Sequence, residues 1–266
     1  MNAKTTTLVA KVPQVTLLFW VIKILATTLG ETGGDAVTMS WLGETTADAT
    51  GTGYLIGTAI FGVIFLAAVL VQIHAKNFHP FLYWFTIVAT TTVGTTLADY
   101  CTRSLGIGYS GGSTILLTLV IASLLIWRWS TGSISIETVN TPKVEVFYWV
   151  TIMLSQTLGT ALGDWVADTN QTGYVGAAAV FGGLLLLTAL LYYFTSLSRA
   201  ALFWAAFILT RPLGATVGDF LDKPVSQGGL SLSRPIASVA IGAIIVLLVL
   251  VIPQRAGSHP RTNNPG

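Results

Sequence analysis

The chain has 266 residues, 53% of them hydrophobic and only 9% charged, with a mean hydropathy of +0.73. A water-soluble domain carries about 25% charged residues, so a soluble globular enzyme is excluded, and at roughly 20 apolar residues per bilayer crossing the length holds about eight helices and no sizeable soluble domain. The lone Cys101 rules out an internal disulfide and a multi-cysteine metal centre, and a formal net charge of +2 spread over loop cations speaks against nucleic acid as a partner.

In chain order, the first apolar segment covers 12–34 and is interrupted by Lys23 and Glu31. Charge-free stretches follow at 49–73, 80–98, 104–127, 146–163 and 169–198. The segment 200–218 is interrupted by Arg211, and 235–254 closes the series. Each is long enough to cross a bilayer or nearly so. We expect an all-α membrane protein with eight transmembrane helices in one membrane domain over 1–266, ending in a flexible tail at 256–266. A basic start (Lys4, Lys11) before an apolar run also suits a cleaved signal peptide. The pattern of this first segment recurs three more times inside the chain, which keeps it as a helix.

The recurrence is exact in spacing. Phe19-Trp20 is followed by Gly30 ten residues after the Trp and by Asp35 five after the Gly. Tyr83-Trp84, Gly94 and Asp99 repeat this, as do Tyr148-Trp149, Gly159 and Asp164, and Phe203-Trp204, Gly214 and Asp219. A Gly-Tyr or Gly-Gly pair (Gly108-Tyr109, Gly173-Tyr174, Gly228-Gly229) then opens the second helix of repeats two to four, and a longer loop in repeat one reaches Gly53-Tyr54. The repeats run approximately over 12–75, 76–140, 141–197 and 198–255. Each unit crosses twice, so successive units enter with the same orientation and should be related by pseudo-symmetry about the membrane normal. Lys4, Lys11, Lys76, Arg128, Lys143, Arg199, Arg255 and Arg261 fall on one side, and Arg103, Lys223 and Arg234 on the other. This bias places both termini in the cytoplasm and the four Asp near the outer ends of the odd helices.

The arrangement resembles a family of bacterial membrane proteins built from four tandem copies of a repeat of unknown function, each with two transmembrane helices and a signature tryptophan. The resemblance spans about 12–253 and rests on Trp20, Trp84, Trp149 and Trp204 with the Gly and Asp spacings above. It implies the bacterial inner (plasma) membrane and supplies no chemistry.

The chemistry has to come from the residues. The even spans carry no charge and read as lipid-facing scaffold, with Gly53 and Gly57 as a close-contact surface. The odd spans hold every ionisable group at depth and should face the interior. Four-residue steps keep one helical stripe, and in the first span it reads Phe19, Lys23, Thr27, Glu31, Asp35. The matching positions are Thr91, Thr95 and Asp99, then Gln156, Thr160 and Asp164, then Arg211, Ala215 and Asp219. Every repeat thus offers a polar inner slot and an outer carboxylate, about 12 Å apart along the helix.

Ionisable groups at membrane depth are costly and usually functional. Glu31, Asp35, Asp99, Asp164 and Asp219 are the candidate metal ligands; the plain alternative is that the Asp side chains cap loops and helices. Lys23, Thr27, Thr91, Thr95, Gln156, Thr160 and Arg211 line the candidate pathway, with Lys23 and Arg211 either in structural ion pairs or standing in for substrate. Arg211 precedes Pro212, which predicts a kink or break in the seventh helix. Gly30, Gly94, Gly159 and Gly214 are candidate hinges with Pro212, or ordinary packing glycines. The four tryptophans read as an aromatic belt at the cytoplasmic interface.

Hard oxygen ligands suit Mg²⁺, Ca²⁺ or Mn²⁺ and not copper or zinc. The expected function is therefore a proton-coupled divalent-cation transporter, preferably a Mn²⁺ exporter, with the cation as substrate and no cofactor. The alternatives are a transporter or channel for protons or a small organic solute held by Lys23 and Arg211, and a structural or assembly protein. No nucleophile–base pair points to an enzyme. The expected partners are the lipid bilayer, the transported ion or solute and, at most, further copies of the chain.

Overall fold

The computed structural model describes residues 9–169 and 172–258; Lys4, His259, Arg261 and the tail beyond 258 lie outside them. The described chain forms β1 (Val9–Pro13), α1 (Leu17–Asp35), α2 (Thr52–His74), α3 (Pro80–Asp99), α4 (Gly108–Thr131), α5 (Pro142–Asp164), α6 (Gly173–Phe194), α7 (Arg199–Asp222), α8 (Arg234–Val251) and β2 (Ala256–Ser258). Local chemistry sets the helix starts. Thr16 and Ser198 accept hydrogen bonds from the first-turn amides of Phe19 and Ala201, and Pro80, Pro142 and Pro235 occupy first-turn positions where their missing N–H goes unneeded. In an apolar solvent the helix is also the only open-ended element that satisfies its own backbone.

Six of the helices are long and apolar enough to cross a membrane: α2, α3 with the turn after it, α4, α6, α7 and α8. The other two, α1 and α5, each carry three charged residues: Lys23, Glu31 and Asp35 in the first, and Lys143, Glu145 and Asp164 in the second.

The odd helices form the interior. α1 packs against α3 and α7, and α5 packs against the same two, so the four close into a ring. Around it α2 lies on α3, α4 on α5, α6 on α7 and α8 on α1. Each even helix thus leans on the odd helix of the following repeat, and the last returns to the first. Exposed Val63, Leu66, Leu125, Leu186, Val239 and Leu250 give the outer helices an apolar outward face, as expected of a surface solvated by lipid.

The motif glycines set the ring's tightness. Each faces the residue three before the motif glycine of the next repeat: Gly30 meets Thr91, Gly94 meets Gln156, Gly159 meets Arg211, and Gly214 meets Thr27. A methyl at Gly30 or Gly214 would lie 2.9 Å from the carbonyl carbon of Thr91 or Thr27, and one at Gly94 would lie 2.9 Å from Gln156 Cβ. These glycines therefore allow close approach inside continuous helices.

Several expectations need correction. α7 is unbroken through Arg211 and Pro212, because the ring packs that turn on both sides. The first helix starts at Leu17 and not at 12, since Val9–Pro13 pairs antiparallel with Ala256–Ser258, the start of the tail expected to be flexible. Gly228-Gly229 does not open the last helix. Gly228 sits after a short 3₁₀ turn at φ 85°, and α8 begins at Arg234. Trp84, Trp149 and Trp204 are buried in the ring and not set in a lipid-facing belt, while Trp20 is half-buried.

Candidate functional site

Reading each odd helix in four-residue steps gives the ring interior as successive levels. At the end nearest β1 and β2 stand Phe19, Tyr83, Tyr148 and Phe203, with Trp84, Trp149 and Trp204 beside them. The Tyr83 and Tyr148 hydroxyls are 2.7 Å apart and fully buried. Trp84 Nε1 donates to Gln254 and Trp204 Nε1 to the Ile134 carbonyl, tying this aromatic plug to the connecting segments. β1 closes over the same end: Val12 joins the core, and Lys11 pairs with buried Glu145 at 2.6 Å.

The next level is Lys23, Ile87, Ile152 and Phe207, all without solvent exposure. Lys23 Nζ lies 4.2 Å from the Phe207 ring centroid and has no hydrogen-bond partner among the described residues. It forms neither of the ion pairs, with Glu31 or with Asp35, that a structural role would supply.

Then come Thr27, Thr91, Gln156 and Arg211. Both threonines turn their hydroxyls onto carbonyls, Thr27 onto Thr210 of α7 and Thr91 onto Ala26 of α1, each at 3.1 Å. Gln156 is fully buried, and neither amide atom is paired among the described residues. Arg211 reaches into the level beyond, made of Glu31, Thr95, Thr160 and Ala215. Its Nη2 donates to Glu31 at 2.9 Å, Thr95 at 2.6 Å and Thr160 at 2.5 Å. One guanidinium therefore joins all four odd helices.

The outer carboxylates follow, and α1, α3 and α5 each end on one: Asp35, Asp99 and Asp164. A π-helical turn follows each of these three ends (Ala36–Trp41, Tyr100–Ser104 and Trp165–Thr169), whereas α7 continues past Asp219 to Asp222. The four Asp at this level do not form a single cage. Glu31, Asp35 and Asp219 converge, with one oxygen from each within 4.8 Å of the others. Asp99 and Asp164 are bridged instead by Arg103, at 2.8 and 3.1 Å. Lys223 pairs with Asp35, sits 3.0 Å from Asp219 and 4.0 Å from Asp222, and touches Met39 Sδ at 3.5 Å. Burial alone would lower the Lys223 pKa, but Asp219, Asp35 and Asp222 outweigh it and hold the value well above the usual lysine range, so the group is an ammonium.

Four residues beyond the carboxylates the stripe reaches Met39, Arg103, Asp168 and Lys223. All four line a cavity of about 760 Å³, with Tyr174 and Arg234 among the other walls. The cavity wall thus includes Arg103, Lys223 and Arg234, the cations that pair with the carboxylate level. There the buried carboxylates of Asp35, Asp99, Asp164, Asp219 and Asp222 meet only three cations, Arg103, Lys223 and Arg234. Acids thus outnumber their counterions at this end of the ring, and a cation entering it finds carboxyl oxygens to pair with.

The sequence alone put Arg103, Lys223 and Arg234 on the outer side with no part in the site, and Asp222 was overlooked. A signal was available: Arg103 and Lys223 each stand four residues after a motif Asp, where α-helical or π-helical backbone returns the side chain to the same stripe.

No curated protein and no solved structure matches the chain. One family does, over residues 18–78, 82–133, 147–198 and 202–254, each match taking in one Trp–Gly–Asp unit of the ring. The chain therefore belongs to the family described as Repeat of Unknown Function (DUF347), present here as four tandem copies.

Proposed function

We propose that this chain is a transporter that carries a divalent cation, Mn²⁺ first among candidates, through the interior of the odd-helix ring in exchange for protons. The observation that carries the reading is the carboxylate level: Glu31, Asp35 and Asp219 offer convergent oxygens, and five buried carboxylates outnumber the three cations set among them. Carboxylates and threonine hydroxyls are hard ligands. Arg211 and Lys223 then neutralise the acids between turnovers.

In this reading all eight helices cross the bilayer. α1 and α5 alternate with α3 and α7 around the ring, and their Lys23, Glu31, Asp35, Glu145 and Asp164 are buried. The repeated glycine contacts support a pseudo-four-fold axis along the membrane normal. The Lys/Arg bias puts the β1–β2 end in the cytoplasm and the cavity on the outer face of a bacterial plasma membrane. Export by this route begins at the end now closed by the aromatic plug, so that end has to open during the cycle.

A second reading, transport of a small anionic solute, is favoured by one observation: Lys23 and Gln156 are fully buried and, among the described residues, unpaired. Calorimetric titration of the purified protein with Mn²⁺, Mg²⁺, Ca²⁺ and Zn²⁺ at two pH values, with proton release recorded, separates the two. Saturable Mn²⁺ binding that releases protons, and is abolished in Glu31→Gln and Asp99→Asn variants that still insert and fold, is the expected result. Full Mn²⁺ transport in both variants, or no metal binding at either pH, refutes the cation reading.

A further inference from the structure

We propose that Lys223 is a tethered competitor for the transported ion: its ammonium stands in the ion's place, and the ion enters only as the ammonium leaves. The inference rests on the cation reading above and assigns the regulation of that same site. Lys223 pairs with Asp35 and Asp219, and these two, with Glu31, are the carboxylates whose oxygens converge. An ammonium seated between Asp35 and Asp219 puts a positive charge beside the point where the three carboxylates converge, and like charges repel a second cation there.

A second observation points to an ion at this place. Asp35 Oδ1 is fully buried and has no hydrogen-bond partner among the described residues, although Lys223 pairs with the other oxygen of the same carboxylate. A buried carboxylate oxygen left unfilled is a strained condition. The tethered ammonium satisfies Asp35 through Oδ2 and leaves Oδ1 an open acceptor, which a bound cation would fill.

The chain provides for the departure. Lys223 is the first residue past α7, so its side chain can swing without unwinding a helix. It already lines the cavity of about 760 Å³, which offers room for the displaced ammonium. The backbone around it is anchored independently of the ammonium: the Ser231 amide donates to the Lys223 carbonyl, and the Ser231 hydroxyl accepts from the Val225 amide at the start of the short 3₁₀ turn Val225–Gln227. Arg234 stays on Asp222 at 3.5 Å, so that acid keeps a counterion when Lys223 moves.

Charge sets the selectivity. A monovalent ion that replaces the ammonium swaps one charge for one and leaves the excess of carboxylates unchanged. A divalent ion in the same place offsets more of it, while the ammonium remains nearby in the cavity. The tether therefore discriminates against monovalent ions in addition to whatever the ligand geometry does.

The test uses Mn²⁺ as the probe on the full chain in detergent. Titration calorimetry compares the natural protein with Lys223→Met and Lys223→Arg. In parallel, amine acetylation of the natural protein is read by peptide mass spectrometry with and without Mn²⁺, using exposed Lys143 as the control. We expect Lys223→Met to bind Mn²⁺ about tenfold or more tighter, a step of roughly 1.4 kcal/mol, Lys223→Arg to bind no tighter than the natural protein, and Mn²⁺ to speed acetylation at Lys223 but not at Lys143. Equal Mn²⁺ affinity in the natural protein and Lys223→Met, with Lys223 acetylation unmoved at saturation, overturns the competitor role and leaves the cation reading standing. Binding by Lys223→Met alone supports the competitor role and removes Mn²⁺ as the natural substrate. Binding by neither overturns both. The acetylation arm needs no variant, so a misfolded Lys223→Met still leaves a decisive result.

Discussion

Replacing Arg211 with Gln removes the one cation that joins the four helices of the ring. The guanidinium has no solvent exposure, its partner Glu31 is 3% exposed at the side chain, and the substitution takes away the hydrogen bonds to Glu31, Thr95 and Thr160. Truncating one partner of a buried pair strands the other charge, a destabilisation of about 3–5 kcal/mol. Glu31→Gln strands Arg211 instead and should cost a similar amount. The double variant strands neither charge and forfeits mainly the two bonds to threonine, each worth about 0.5–1.5 kcal/mol net. It should therefore be destabilised by roughly 1–3 kcal/mol, far below the sum of the singles. The assay is reversible unfolding of the four proteins in mixed micelles, read by far-ultraviolet circular dichroism during SDS titration, with the coupling taken from the double-mutant cycle. Destabilisations that add to within about 0.5 kcal/mol would refute the idea that the pair acts as one unit at the ring centre.

Two further outcomes test the packing. Gly214→Ala should destabilise by about 1–3 kcal/mol through overpacking, since the new methyl meets the Thr27 side chain and backbone, whereas Gly182→Ala, which faces open space, should be neutral or slightly stabilising in the same titration. Tyr83→Phe leaves the buried Tyr148 hydroxyl without its 2.7 Å partner and should cost about 1–3 kcal/mol, while Tyr83→Phe with Tyr148→Phe should cost less than the single change. A double variant worse than the single would show that the hydroxyls act independently.

Much of the ring was legible because it repeats. The shared Trp–Gly–Asp spacing and the charge-free even spans separated interior from scaffold, and the four-residue stripe from Phe19 to Asp35 does line the interior. What misled was local chemistry taken alone. Pro212 predicts a break in isolation, but α7 is held between α1 and α5, and a helix packed on both sides can absorb one missing hydrogen bond. Tryptophans at the start of a span read as a lipid-facing belt, but here Trp84, Trp149 and Trp204 face the ring and close its end.

Periodicity and composition by themselves determined that this is a helical membrane protein of four like units with a polar stripe on every odd helix, because side-chain spacing and the need to satisfy the backbone in an apolar solvent are properties of each segment alone. Only the tertiary structure decided which acids share a site, since that depends on neighbours far apart in the chain. Glu31 meets Arg211 across 180 residues, Asp35 meets Lys223 across 188, and Arg103 draws Asp99 and Asp164 together while Asp219 joins Glu31 and Asp35. Four equivalent carboxylates in the sequence become two unlike groups in space because the repeats place Met39, Arg103, Asp168 and Lys223 at one equivalent position, and only two of those four are cations able to pair with them.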